Sequence, residues 1–117
     1  MRIEVVNQSR EFSKKEMYNV AFGQDNFSIS EVPENKDIVV LDWIFYNKIS
    51  QQADGTEKVT RLLSIITPDD TIYTTVSASF MNNFETLIQF IEKYPFPIYV
   101  EHRRSANGRT YLVCGMA

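Results

Sequence analysis

Hydrophobic positions from Ile38 onward fall into two periods that follow one another in a fixed order. Ile38 to Ile49 is apolar on both alternating faces, with Val39, Leu41, Trp43 and Phe45 on one and Ile38, Val40, Ile44 and Tyr46 on the other. That is the pattern of a strand that curls and serves both halves of a folded-over sheet. Ala53, Asp54 and Gly55 supply a hairpin turn, and Glu57 to Thr67 predicts the antiparallel partner. After a turn at Pro68, Asp69 and Asp70, residues Thr71 to Ser79 alternate, with Ile72, Val76 and Ala78 opposed to Tyr73, Thr75 and Ser77. Phe80, Phe84, Leu87, Ile88 and Ile91 then recur at helical spacing. They predict one amphipathic helix over Phe80 to Tyr94, opened by Ser79 as N-cap and prevented from continuing by Pro95 and Pro97. Ile98 to Arg103 and Arg109 to Cys114 flank Ser105 to Gly108, where Asn107 and Gly108 suit the positive φ of a tight hairpin tip.

Three strands, a helix and two strands predict an all-β domain, a five-stranded β-barrel with its helix between strands 3 and 4 over residues 37–117. Residues 1–36 read as a short N-terminal extension. Met1 to Val6 suits a strand, Ser13 with Glu16 has the spacing of a capping box that opens a short helix through Val20, and Gly23 to Asn26 is loop composition. The segment is too short for its own core, so it is expected to pack on the barrel or to reach a neighbouring protomer.

A chain of 117 residues with 44% hydrophobic content suffices for one core. Its apolar runs are only a few residues long, which predicts neither a spanning helix nor a secretory segment and favours a soluble, cytoplasmic protein. The single cysteine, Cys114, excludes an internal disulfide, and with His102 as the only histidine no metal site or cofactor is expected. The net charge of −3 argues against a polyanionic partner. Locally the balance reverses, because Arg103, Arg104 and Arg109 lie close together with only Glu101 among them.

Catalysis is hard to assemble from these residues. His102 sits mid-strand beside two arginines that disfavour its protonated form, the four glycines are scattered rather than gathered in a phosphate loop, and Asp69 and Asp70 after Pro68 suit a turn. No enzymatic activity is expected. Binding of an unpaired strand needs aromatic faces for the bases and cations for the phosphates. Tyr73, Tyr99 and Tyr111 fall opposite Val76, Val100 and Leu112 in their strands, which makes them outward candidates, and Tyr46 joins them from the first strand. Arg61, Arg103 and Arg109 share the outward parity, and Lys48 and Lys58 flank the first hairpin. Trp43 is assigned to the core.

Several short motifs together carry a likeness. Pro68 and Asp69 close a strand before an acidic pair, Ser79 and Phe80 open the helix, and Ala106, Asn107, Gly108, Arg109, Tyr111, Leu112 and Cys114 form the closing hairpin. With Phe12 to Tyr18 near the start, they resemble the single-stranded DNA-binding proteins of phages and conjugative elements of Gram-positive bacteria. The resemblance implies an OB-fold that coats single-stranded DNA without strong sequence preference during replication or transfer, with RNA as an alternative ligand. Cellular relatives end in a flexible acidic tail that recruits partners. Here Gly115, Met116 and Ala117 carry no acid, so recruitment of that kind is not expected. The competing expectation is a protein–protein assembly module of a phage or conjugation apparatus, in which the same tyrosines meet another subunit; in the single-strand reading, residues 1–36 are expected to join neighbouring protomers along the coated strand.

Overall fold

A computed structural model describes all 117 residues, Met1–Ala117. The chain forms eight strands and two α-helices: β1 (Arg2–Gln8), α1 (Lys14–Phe22), β2 (Phe27–Ser28), β3 (Asp37–Val40), β4 (Asp42–Gln51), β5 (Glu57–Ile66), β6 (Ile72–Thr75), α2 (Ala78–Leu87), β7 (Phe96–Arg104) and β8 (Thr110–Met116), with 3-10 turns at Ile29–Glu31 and Ile88–Phe90. The fold is mostly β, as the alternating pattern predicts. No helix is long and apolar enough to cross a membrane.

The strands form two sheets, ordered β1-β4-β5-β6-β2 and β3-β7-β8. The curling strand expected at Ile38 to Ile49 is present in two pieces. β3 pairs with β7 and β4 pairs with β5, and only Leu41 separates them, its N–H bonded to the Ile66 carbonyl. One stretch of chain therefore hands over from one sheet to the other, which is why both of its faces are apolar.

The closed five-stranded barrel is not formed. Closure would need the edge of β6 to meet β8, but that edge is taken by β2, which pairs in parallel through Phe27↔Tyr73 and Ser28↔Thr74. The seam between β6 and β8 is instead bridged from α2, where Ser79 Oγ donates to the Leu112 carbonyl at 2.7 Å. Ser79 therefore does not cap the helix. That role belongs to Ser77, whose Oγ accepts from Phe80 N–H, and α2 begins two residues earlier than the spacing predicts. It also ends earlier, tightening into a 3-10 turn at Ile88 to Phe90.

The main core lies between the sheets and under α2. It joins Trp43, Phe45, Leu63 and Ile65 of one sheet to Ile38, Val40, Phe96, Ile98, Val100 and Leu112 of the other, with Phe80 and Phe84 from α2. Each such side chain contributes about 1.5–3 kcal/mol by leaving water. Ile29 and Val32 belong to this same core, so residues 1–36 are built into the fold. A second cluster covers the opposite face of the larger sheet, where Val20 and Ala21 of α1 pack on Ile44, Tyr46, Leu62 and Ile66.

α1 forms where the sequence signals it. Ser13 Oγ accepts from Glu16 N–H while the Glu16 carboxylate accepts from Ser13 N–H, a complete capping box. At its end the Asn26 amide donates to the carbonyls of Asn19 and Val20 at 2.9 and 3.0 Å, satisfying groups that a helix terminus leaves open. Gly23 is required there because a Cβ would collide with the Asn19 carbonyl.

Candidate nucleic-acid interface

The smaller sheet places its inward set, Ile98, Val100 and Leu112, in the core, and so turns Tyr99, Glu101 and Arg103 of β7 outward. The register sets Arg103 opposite Tyr111, Glu101 opposite Val113 and Tyr99 opposite Gly115. Tyr111 is exposed. Tyr99 is half-buried because its ring lies across Gly115, so closely that any Cβ at that position would overlap it. An aromatic laid over a strand glycine shields backbone that would otherwise face water.

Charge on this face is mixed. Arg103 Nε donates to Glu101 Oε2 at 2.7 Å, and that bond, with the carboxylate's charge, raises the guanidinium's pKa. The pair fixes a planar cation beside Tyr111. Asp37 of β3 stands opposite Tyr99 in register. Arg109 begins beyond the hairpin tip, where Gly108 takes φ 83°. It is exposed and makes no ion pair. Tyr99, Arg103, Arg109 and Tyr111 are therefore brought together as expected from their parity.

The other five candidates go elsewhere. Tyr46 is fully buried, its ring in the second cluster and its hydroxyl 2.9 Å from Ser64 Oγ. It cannot stack a base. Burial raises the phenol's pKa, and the hydrogen bonds from Ser64 and Thr74 only partly oppose that. Tyr73 faces the main core rather than solvent. It pairs with Ile65, packs its ring 5.8 Å from Phe27, and leaves only an edge in a cleft of about 290 Å³ shared with Asp37 and Asp69. Two carboxylates there against the single ammonium of Lys36 disfavour a phosphate backbone.

Arg61 bonds to Glu85 of α2 and lies 5.4 Å from the centre of the Phe45 ring. It ties helix to sheet, and its charge is already matched. Lys48 and Lys58 lie on the outward face of the larger sheet, since Lys48 pairs with Thr60 and Lys58 with Ser50 in the parity of buried Tyr46 and Leu62. The two lysines and the β7–β8 group thus occupy outward faces of different sheets, with the main core between them.

Several residues outside the candidate set also shape these surfaces. His102 Nε2 lies 3.0 Å from the Val32 carbonyl and its N–H donates to Glu34, so it fastens the chain entering β3 to the end of β7. Trp43 is buried as assigned, and its indole N–H donates to the Tyr94 hydroxyl at 2.9 Å. The Cys114 thiol is half-buried near the Phe80 carbonyl, and burial pushes its pKa up to about 12, which removes it as a nucleophile at neutral pH. Sequence reasoning left out Tyr18 and Phe22, which are exposed on α1. Their signal was legible, because the capping box starts a helix in which they fall opposite Met17, Val20 and Ala21. Comparisons with family models, with curated proteins and with solved structures give no match.

Proposed function

We propose that this protein binds single-stranded DNA without catalysing a reaction, and that its architecture is an opened relative of the OB-fold. Supporting the architecture is the order of a strand shared by two sheets, two further strands, a helix bridging the seam and a closing hairpin. The observation that carries the binding reading is the grouping of Tyr99, Arg103 and Tyr111 on the outer face of β7–β8, with Arg109 at its end. Rings accept unpaired bases of any sequence, and guanidinium groups meet the phosphates between them. The strand enters by electrostatic capture and is retained by stacking, which suppresses reannealing and nuclease attack in the cytoplasm during replication or transfer.

Replacement of both rings, Tyr99→Ala with Tyr111→Ala, tests this reading directly. Loss of one or two stacked bases weakens binding to an oligo-dT strand by about 5- to 150-fold per base, with circular dichroism reporting that the fold is kept. Unchanged affinity in the folded variant overturns the assignment.

A second reading, a protein assembly module, is favoured by one observation. β1 and β8 each pair on one side only, and β1 exposes Val5 and Val6 beside its open edge. Open strand edges invite pairing with another chain. Such an interface is largely insensitive to salt, whereas phosphate contacts are not.

A further inference from the structure

α1 carries a surface that packing of the helix does not explain. Its inner side is spent on the larger sheet through Met17, Val20 and Ala21. Its outer side presents Tyr18 and Phe22, 65% and 42% exposed, with ring centroids 5.8 Å apart. Lys48 reaches up from β4 to set its ammonium 4.9 Å from the centre of the Phe22 ring. At helical spacing Lys14 and Lys15 fall on the same outer side as the two rings, and Lys58 lies next to Lys48 on the sheet face below. None of these four lysines makes an ion pair, and the helix's one acid, Glu16, is held by Arg10 at 2.6 Å.

We infer that the outer face of α1, built on Tyr18, Phe22 and Lys48, is a second contact for single-stranded nucleic acid, on the opposite side of the main core from the β7–β8 group. The inference rests on the single-strand reading above and adds a site to it. Charge selects the occupant. A protein partner's interface core is depleted in lysine, whereas a ring pair with the Lys48 ammonium against it and three more unpaired lysines on the adjoining faces suits bases joined by phosphates. α1 is then a working part of the protein and not only a cover for Ile44 and Leu62. A strand that meets both surfaces has to pass around the edge of the fold.

The experiment is a fluorescence anisotropy titration of the full chain with a labelled oligo-dT of about 16 residues. Two ring variants are compared with the parent: Tyr18→Ala with Phe22→Ala, and Tyr18→Leu with Phe22→Leu, which keeps apolar cover on the helix while removing the aromatic faces. Both are expected to bind about 5- to 150-fold more weakly for each base that loses its platform. Lys48→Gln and Lys58→Gln are expected to reduce the slope of log affinity against log salt by about 0.7 each. If the parent and both ring variants bind equally while Tyr99→Ala with Tyr111→Ala weakens binding, the α1 site is overturned and the β7–β8 reading stands. A parent that binds no oligonucleotide overturns both. A ring variant that changes only the protein's self-association in sedimentation assigns the patch to a second copy and also overturns the inference.

Discussion

The hydroxyl of Tyr46 and Oγ of Ser64 lie 2.9 Å apart with both residues fully buried, and Ser64 Oγ continues at 2.9 Å to Thr74 Oγ1. Three adjacent strands, β4, β5 and β6, are thus linked by a chain of side-chain hydroxyls inside a face that α1 closes. Each hydroxyl group has a partner, which is the condition under which polar groups are tolerated in a core. Tyr46→Phe keeps the ring and removes the link. It is expected to lower stability by about 1 kcal/mol and to leave oligonucleotide affinity at the parent value, as measured by urea denaturation and anisotropy on the same sample.

The ring of Tyr99 and the bare backbone of Gly115 form a second paired feature. Gly115→Ala drives a methyl group into the ring, which must swing away. Destabilisation of about 1–3 kcal/mol is expected, as for overpacked sites generally, together with weaker strand binding because Tyr99 loses its position. A variant as stable as the parent with Tyr99 undisplaced would show that the ring does not hold its place against Gly115.

Glu16 contributes to acid sensitivity. Its bonds from Arg10 and from Ser13 N–H lower its pKa from the ordinary 4.5 to about 2. The folded state therefore binds fewer protons than the unfolded one across that window. Stability from this group is complete above the ordinary pKa and is lost as pH falls toward 2. Asp54 and Asp69, each held low by hydrogen bonds from threonines, act in the same direction. In thermal melts between pH 6 and 2, as a range of about four units, Glu16→Gln should flatten part of the decline seen in the parent. An identical decline would remove Glu16 from the account.

Arg61 and Arg109 are expected to behave differently despite their shared chemistry. Arg61 is matched by Glu85 and lies against Phe45, so Arg61→Gln should cost at most about 1 kcal/mol of stability and leave the salt slope of binding unchanged. Arg109→Gln should leave stability unchanged and reduce that slope by about 0.7. Reversal of the two outcomes would mean that the Glu85 bond opens on binding.

Much of the fold was legible because its period was. A strand apolar on both faces announced a stretch shared by two sheets but not its break at Leu41, and the three-and-four spacing from Phe80 placed α2 but not its bounds. The same two-sided pattern hid Tyr46, since a strand with no polar face gives no outward parity. Tyr73 was misassigned because β6 has only four residues, Ile72 to Thr75. Its apparent alternation was completed by Val76 and Ala78, which lie beyond the strand, and Val76 is 62% exposed. β2 has two residues and no period at all, so its occupation of the β6 edge, and with it the loss of closure, could not be seen. The Arg61–Glu85 bond joins residues 24 apart in sequence on different elements, a distance over which composition says nothing. At β7–β8 the parity held, because Ile98, Val100 and Leu112 mark the inner side without ambiguity.

The central claim, that this protein meets a polyanion through its outward faces, is tested most directly by titrating a labelled oligo-dT at about 50 mM and 200 mM salt. If Lys48, Lys58 and Arg109, which make no ion pair, each neutralise a phosphate, the slope is about −2.1 and affinity falls about 20-fold between the two conditions. An affinity that does not change with salt, or no binding at 50 mM, would contradict it.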